Sequence, residues 1–173
     1  TGIVYMFYST VSAMIMDLLK SFGFAFLVIT VLMMLILRNL KLGLIAMVPN
    51  LTPIIFLFGF MGLTGIPLDL TTLLLTSLAL GLCVDDTIHL LHHFKYQLHR
   101  SGDTDEAIAY ALNHSGRAVI TTSLLLVAGS CLYLGSELVT LQRFGVLIGM
   151  TIVFAGLADL IITPAVLRAT HRS

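Results

Sequence analysis

Five long apolar runs constrain this chain more than any other feature of its sequence. Each has about the 17–25 residues that a helix needs to cross a hydrocarbon core roughly 30 Å thick. Composition agrees, because 58% of the 173 residues are hydrophobic and only 10% are charged, whereas soluble domains carry about 25% charged residues. We predict an all-α membrane protein with five transmembrane helices, at about 21–37, 42–63, 70–95, 116–134 and 143–167.

Two further segments lie outside the predicted spans. Residues 1–20 contain Asp17 and Lys20, which interrupt the apolar pattern, so we predict an interfacial helix there. Residues 103–113 begin with polar capping groups and have one apolar face. The pattern predicts a short amphipathic helix on the membrane surface. Because the chain opens with Thr1, we expect it to be part of a longer protein.

Basic residues indicate the orientation of the five spans. An odd number of spans places the termini on opposite sides, and Lys and Arg collect on the cytoplasmic side. One side would hold Arg38, Lys41, Lys95, Arg100, Arg117, Arg168 and Arg172, and the other only Lys20 and Arg143. We therefore expect an extracytoplasmic N-terminus, a cytoplasmic C-terminus and a cytoplasmic helix at 103–113.

Two adjacent carboxylates, Asp85 and Asp86, lie deep within the third predicted span. They follow about fifteen residues of that span, which places them roughly 22 Å into the membrane. Charged groups at such depth are costly and usually face a bundle interior or a water path. A carboxyl pair there can take up and release protons, so we predict a proton relay. A structural pair of hydrogen-bond acceptors is the alternative.

Other polar side chains in the spans are candidates to support this pair. Thr121, Thr122 and Ser123 form a row of hydroxyls in the fourth span. They can donate to a carboxylate across a helix interface, or bond the carbonyl of the preceding turn. Asp159 is a third carboxylate in an apolar span, and a local bond to a hydroxyl or backbone group is its alternative role.

Three histidines, His89, His92 and His93, follow the aspartates on the same predicted helix. Membrane desaturases bind iron with histidine boxes of this kind, but they need several boxes, and the other histidines here are isolated. We therefore expect no metal, no cofactor and no enzymatic activity. His89 is interpreted as a polar neighbour of the aspartates.

Several segments together resemble a known superfamily. They are Gly81 to His89 (GLCVDDTIH), Gly116 to Leu124 (GRAVITTSL), Arg143 to Gly145 (RFG), Ala158-Asp159 and Thr163 to Ala165 (TPA). These segments are similar to one transmembrane half of the RND (resistance–nodulation–division) superfamily. The resemblance is to its MMPL-like exporter branch, which is related to Patched and the sterol-sensing domain. It covers roughly residues 15–168.

The resemblance implies an architecture and a mechanism. The five spans would be helices 2–6 of a six-helix RND half, whose first helix and extracytoplasmic domain would precede Thr1. Residues 1–20 would be the tail of that domain. Asp85 and Asp86 would carry the protons, and Thr122 would complete the relay. Drug-efflux members place a lysine on the equivalent helix of the other half, whereas no lysine lies inside a span here. A counter-charge would have to come from an absent half.

The expected function is export of a lipid or other hydrophobic substrate, driven by the proton-motive force across a bacterial inner membrane. The substrate class follows from the resemblance alone. The alternatives are a sterol- or lipid-sensing module without transport and a metal-dependent membrane enzyme. Expected partners are membrane lipids, the substrate, and the rest of the RND chain or another protomer. The formal net charge of zero gives no reason to expect nucleic acid.

Overall fold

Long helices joined by short turns make up the protein. The computed structural model describes residues 2–67 and 69–171, and within these ranges it contains no strand. The helices are α1 (Gly2–Leu37), α2 (Leu40–Thr64), α3 (Leu70–Ser101), α4 (Thr104–Cys131), α5 (Val139–Leu157) and α6 (Thr163–His171). A 3₁₀ turn, Leu132–Gly135, follows α4, and a π-helical segment, Ala158–Ile162, joins α5 to α6.

Five stretches of the described chain are long and apolar enough to cross a membrane, which confirms the predicted fold class. They are Tyr8–Leu37, Leu40–Thr64, Thr71–Ser101, Thr104–Gly135 and Val139–Thr170. In the most apolar part of each stretch, 44% of α2, 44% of α3 and 56% of the α5–α6 stretch is buried, compared with 6% of α1 and 11% of α4. The central three stretches therefore form the core of the bundle.

Capping residues explain where the helices begin. The Asn39 side chain accepts hydrogen bonds from the first N–H groups of α2. Asp69 forms a capping box with Thr72 at the start of α3. Asp103 caps α4 and lies next to Gly102, whose left-handed φ of 69° ends α3. These caps satisfy backbone donors that a helix end leaves free.

Within the predicted segment 1–20, the described residues 2–20 do not form a helix separate from the first span. The described part is continuous with that span in α1, whose 36 residues reach about 54 Å, well beyond a hydrocarbon core. Asp17 and Lys20 lie on the exposed surface of α1 and pair at 3.4 Å. Polar residues that stay in helical phase interrupt an apolar pattern without ending the helix.

The predicted surface helix at 103–113 is also not a separate element. It continues into the predicted fourth span as α4. Ala107, Ile108 and Ala111 are buried in an apolar cluster that includes Leu91 and Phe94 of α3. The apolar face of this segment therefore packs against α3.

Two apolar clusters pack the bundle, and polar residues lie between them. One cluster contains Met33, Leu37, Leu42, Ala46, Met47, Leu90, Leu91, Phe94, Ala107, Ile108, Ala111 and Leu167. The other contains Leu57, Met61, Leu75, Leu147, Ile148 and Ile152. Along α2, buried Asn50 lies between the residues that belong to the two clusters.

The π-helical segment interrupts the last span where the sequence predicted a continuous helix. The Thr163 N–H donates to the Ala158 carbonyl, five residues back. Pro164 follows and has no N–H, so the usual bond to the Leu160 carbonyl cannot form. One wide turn accommodates the proline, and such turns are frequent at functional sites. It carries Asp159 into the bundle, where only 2% of the residue is exposed.

Candidate functional site

A cavity of about 120 Å³ lies between α3, α4 and α5. Its polar lining comes from Asp85, Asp86, Thr122, Ser123 and Thr151. The remaining lining is apolar or weakly polar: Ala79, Leu82, Cys83, Leu126, Ile152 and Ala155. Since a water molecule takes up about 30 Å³ in the liquid, the cavity has room for a few waters beside polar partners.

The two aspartates occupy different environments. Consecutive residues of a helix point about 100° apart. Asp86 is half-buried, whereas Asp85 is exposed on the outer face of α3. Both line the cavity. Asp86 does so from the side of the bundle interior, and Asp85 from the outer edge of the bundle.

The hydroxyl row of α4 is only partly directed to this cavity. Thr122 and Ser123 line it, and Thr121 is exposed outside it. The Thr122 hydroxyl donates to the Ala118 carbonyl at 3.0 Å, and the Thr121 hydroxyl donates to its own helix in the same way. The alternative of bonding to the preceding turn therefore describes both threonines in this structure.

Asp159 lies outside the cavity lining, in a buried polar centre made by three elements. Thr87 Oγ1 lies 2.6 Å from Asp159 Oδ1 and 2.9 Å from Asn50 Oδ1. The Thr163 hydroxyl also faces Asp159 Oδ1, at 3.4 Å. Asn50 donates to the Ala46 carbonyl at 3.0 Å. This polar centre ties α2 and α3 to the π-helical segment.

Proton counting limits how the polar centre can be bonded. Thr87 Oγ1 has three acceptors within reach, since the Cys83 carbonyl lies 3.0 Å away. A hydroxyl has one proton to donate. Thr87 can donate to an ionised Asp159, or accept from a protonated Asp159 and donate to Asn50. The same geometry thus accommodates both protonation states of the carboxyl.

The polar centre is close to the cavity through two shared helices. Cys83 lines the cavity and presents its carbonyl to Thr87, and Asp86 directly precedes Thr87. Ala155 lines the cavity one helical turn before Asp159. The cavity carboxylates therefore lie within one helical turn of the buried contact between α3 and the π-helical segment.

Comparison with known proteins identifies the family. The sequence profile of the MMPL family matches residues 1–173. The chain belongs to the MMPL family. With five apolar stretches long enough to span a bilayer, it is an integral membrane protein.

Curated relatives of this MMPL-family chain come from distant organisms. A protein named as a membrane protein in Methanocaldococcus jannaschii is 30% identical over 144 residues, which are 83% of this chain and 37% of that protein. A Niemann-Pick type C1-related protein of Toxoplasma gondii is 31% identical over 118 residues, which are 65% of this chain and 9% of that protein. The chain thus spans only a minor part of these relatives.

The histidines of this MMPL-family chain do not form a metal centre in the described residues. His89 and His92 are exposed on α3, and His93 packs near Tyr110 and His114 with ring centroids 6.2 Å and 5.8 Å away. Within residues 2–67 and 69–171, no group of three or more His, Cys, Asp or Glu side chains is placed to hold a metal ion. His89 does not line the cavity of the aspartates.

Two residues of the polar centre, Asn50 and Thr87, were not predicted from the sequence. Asn50 stands in an apolar run beside Pro49, and an amide in such a place was a usable signal of a buried polar contact. Thr87 directly follows the aspartates but resembles any other hydroxyl of the chain. Its importance depends on contacts with residues 37 and 72 positions away.

Proposed function

We propose that this chain is part of a proton-driven exporter of a lipid or other hydrophobic substrate, in which Asp85 and Asp86 bind the protons. The observation that supports this most is the cavity that both carboxylates share with Thr122 and Ser123. It holds carboxylates and hydroxyls beside room for water, which is what proton exchange within a bundle requires. Membership of the MMPL family and the resemblance to RND exporters favour the same function.

Protonation would act through helix packing. A charge on Asp86 favours water in the cavity and keeps α3 apart from α4 and α5, whereas the neutral acid tolerates closer packing. Thr87 and Asp159, one turn away, respond to such a shift by exchanging hydrogen-bond partners. The open arrangement with ionised Asp86 and the closely packed arrangement with neutral Asp86 are the two states between which proton binding selects.

Asp85 further supports a partner for this chain. The exposed residues of α3 follow one face: Leu74, Leu78, Gly81, Asp85, His89, His92 and Tyr96. An acid on a lipid-facing surface at this depth costs several kcal/mol. We propose that the rest of the RND chain, or another protomer, covers this face and supplies any counter-charge.

The test is proton-linked transport by the full-length parent in sealed vesicles. A trapped pH-sensitive dye follows proton flux, and a fluorescent phospholipid serves as the transport probe. Asp86→Asn and Asp85→Asn remove the exchangeable proton and keep the side-chain shape. We expect both fluxes to fall to the level of empty vesicles while the melting temperature stays near that of the wild type.

Glu137→Gln is the matched control, since it makes the same acid-to-amide change at an exposed residue away from the cavity. It should transport as the wild type does. Normal fluxes in both aspartate variants would contradict the relay and favour the sensing module, in which lipid binding needs no proton flux. If the fluxes are lost only in variants that also fail to fold, the aspartates have a structural role.

A further inference from the structure

A cavity of about 440 Å³ with basic residues in its lining lies where α1 and α3 end. Ile36 and Leu37 line it at the end of α1, Arg38 lines it from the turn that follows, and Lys95, Tyr96 and Arg100 are among its residues from α3. Both helix ends belong to the face of the bundle that the distribution of Lys and Arg predicts to be cytoplasmic. The cavity lies away from the aspartates and takes no part in the proposed proton relay.

Three cations face this cavity without a carboxylate partner. Ion pairs within residues 2–67 and 69–171 join Lys20 to Asp17 and Arg168 to Asp105, and neither involves the cavity. Arg38, Lys95 and Arg100 therefore leave the cavity with a net positive charge. Positive charge gathered in a concave site attracts anions.

Two of the cations are held in position by the fold. The Lys95 ammonium donates to the Leu37 carbonyl at the end of α1, where it is half-buried. The Arg100 guanidinium donates to the Tyr96 hydroxyl at 3.1 Å and lies 5.7 Å from the centre of that ring. Each group keeps further N–H donors for a ligand.

Arg38 adds an independent observation. Its φ of 46° makes it the one non-glycine residue of the described chain with a positive φ. That left-handed conformation is unfavourable for a residue with a Cβ and is usually taken by glycine or asparagine. The backbone conformation therefore does not favour an arginine at this position. The arginine does place a guanidinium group in the lining of the cavity.

The cavity walls distinguish between possible anions. Ile36 forms an apolar side, and α1 continues from it with the exposed side chains Leu35, Leu32, Val31 and Val28. A free phosphate would satisfy the cations but leave this apolar surface unused. A phospholipid would fit both parts, with its head group at the cations and an acyl chain along α1. Basic pockets between helices at the cytoplasmic face commonly bind such head groups.

We propose that this cavity is a binding site for the head group of an anionic phospholipid of the cytoplasmic leaflet. Arg38 and Arg100 bind the phosphate group from two sides, and Lys95 holds the floor of the site against α1. The lipid then fixes the ends of α1 and α3 relative to each other. This inference does not depend on proton transport, since binding here requires neither aspartate.

The test measures lipid binding by the full-length parent in nanodiscs without a proton gradient. Phosphatidylglycerol in a phosphatidylcholine background is the probe, and native mass spectrometry counts the lipids retained. Arg38→Gln and Arg100→Gln should each weaken retention of phosphatidylglycerol about fivefold, which corresponds to losing one cation near an anionic surface. Phosphatidylcholine retention should not change.

Lys41→Gln is the matched control, because Lys41 is exposed at the same end of the bundle but does not line the cavity. It should retain phosphatidylglycerol as the wild type does. An equal loss in Lys41→Gln would show diffuse attraction and overturn the proposal. Equal retention of both lipids by the wild type, or full displacement by millimolar glycerol phosphate, would overturn it too. Asp86→Asn should bind phosphatidylglycerol normally, which separates this result from the transport test.

Discussion

A single buried hydroxyl, that of Thr87, connects three elements of the bundle. It lies within 3.0 Å of acceptors on α2, on α3 and on the π-helical segment. We expect Thr87→Val, which keeps the shape and removes the hydroxyl, to lower the free energy of unfolding by about 1–3 kcal/mol, because Asn50 and Asp159 lose a buried partner. The measurement is the unfolding transition of the detergent-solubilised protein.

Thr52→Val is the control for this prediction. The Thr52 hydroxyl donates only to the Val48 carbonyl of its own helix, at 2.9 Å. Its loss should change stability by less than about 0.5 kcal/mol, as expected away from a buried network. Thr87→Ser should recover most of the stability lost in Thr87→Val. An equal effect of the two valine variants would contradict a special role for the polar centre.

The predictability of individual residues depended on how far away their partners are in sequence. Asp85 and Asp86 could be selected because a carboxylate inside an apolar run is unusual by itself. In the structure, Thr122 and Ser123 line the same cavity as these aspartates. They lie in the next span along the chain, which can pack directly against the span of the aspartates. Thr87 could not be selected, since a hydroxyl is common in a membrane helix and only the packing of three elements makes this one a shared donor. The relay itself remains a prediction.

Close contact between α4 and α5 depends on glycine. A Cβ added at Gly145 would lie 2.7 Å from Tyr133 Cβ and 2.8 Å from the Ser130 carbonyl, which is backbone and cannot rotate away. We expect Gly145→Ala to push α4 and α5 apart and to lower the free energy of unfolding by about 1–3 kcal/mol, the usual cost of overpacking. Thermal unfolding in detergent measures this change.

Gly129→Ala gives the matched comparison, because a Cβ at Gly129 meets nothing within 4 Å. Alanine there should be neutral or stabilising by up to about 1 kcal/mol, since it favours the helix. A Gly145→Ala protein as stable as the wild type would show that α4 and α5 can separate without cost. The two glycines would then be equivalent, contrary to the close approach of Tyr133 and Ser130 to Gly145.

The membrane-spanning helices could be predicted from the sequence, whereas the residues at which they begin and end could not. Apolar length identifies a membrane helix, but a helix does not end where the hydrocarbon ends. Asp17 and Lys20 of α1 lie in helical phase on its surface, and Ser115 and Gly116 are buried within α4. No proline stops either helix, so both continue through segments that composition alone assigned elsewhere.

Contacts across the whole bundle gather the basic residues at one end. Arg168 pairs with Asp105 at 2.8 Å, which joins α6 to the start of α4. Lys95 bonds the end of α1. These contacts agree with part of the grouping that the sequence suggested, whereas Arg117 lies in the interior of α4 and not at this end. The cytoplasmic position of this end stays a prediction. The sequence could predict the grouping because short turns force successive spans to alternate in direction.

The orientation of the whole molecule can be measured with two introduced cysteines. Glu106 and Glu137 are exposed near opposite ends of α4. In a parent whose exposed Cys131 is changed to Ser, we expect a membrane-impermeant maleimide to label Glu137→Cys in intact cells. Glu106→Cys should react only after the cells are made permeable, since the distribution of Lys and Arg predicts a cytoplasmic position for the basic end. The reverse labelling pattern would invert the orientation, and it would move the proposed lipid site to the outer leaflet.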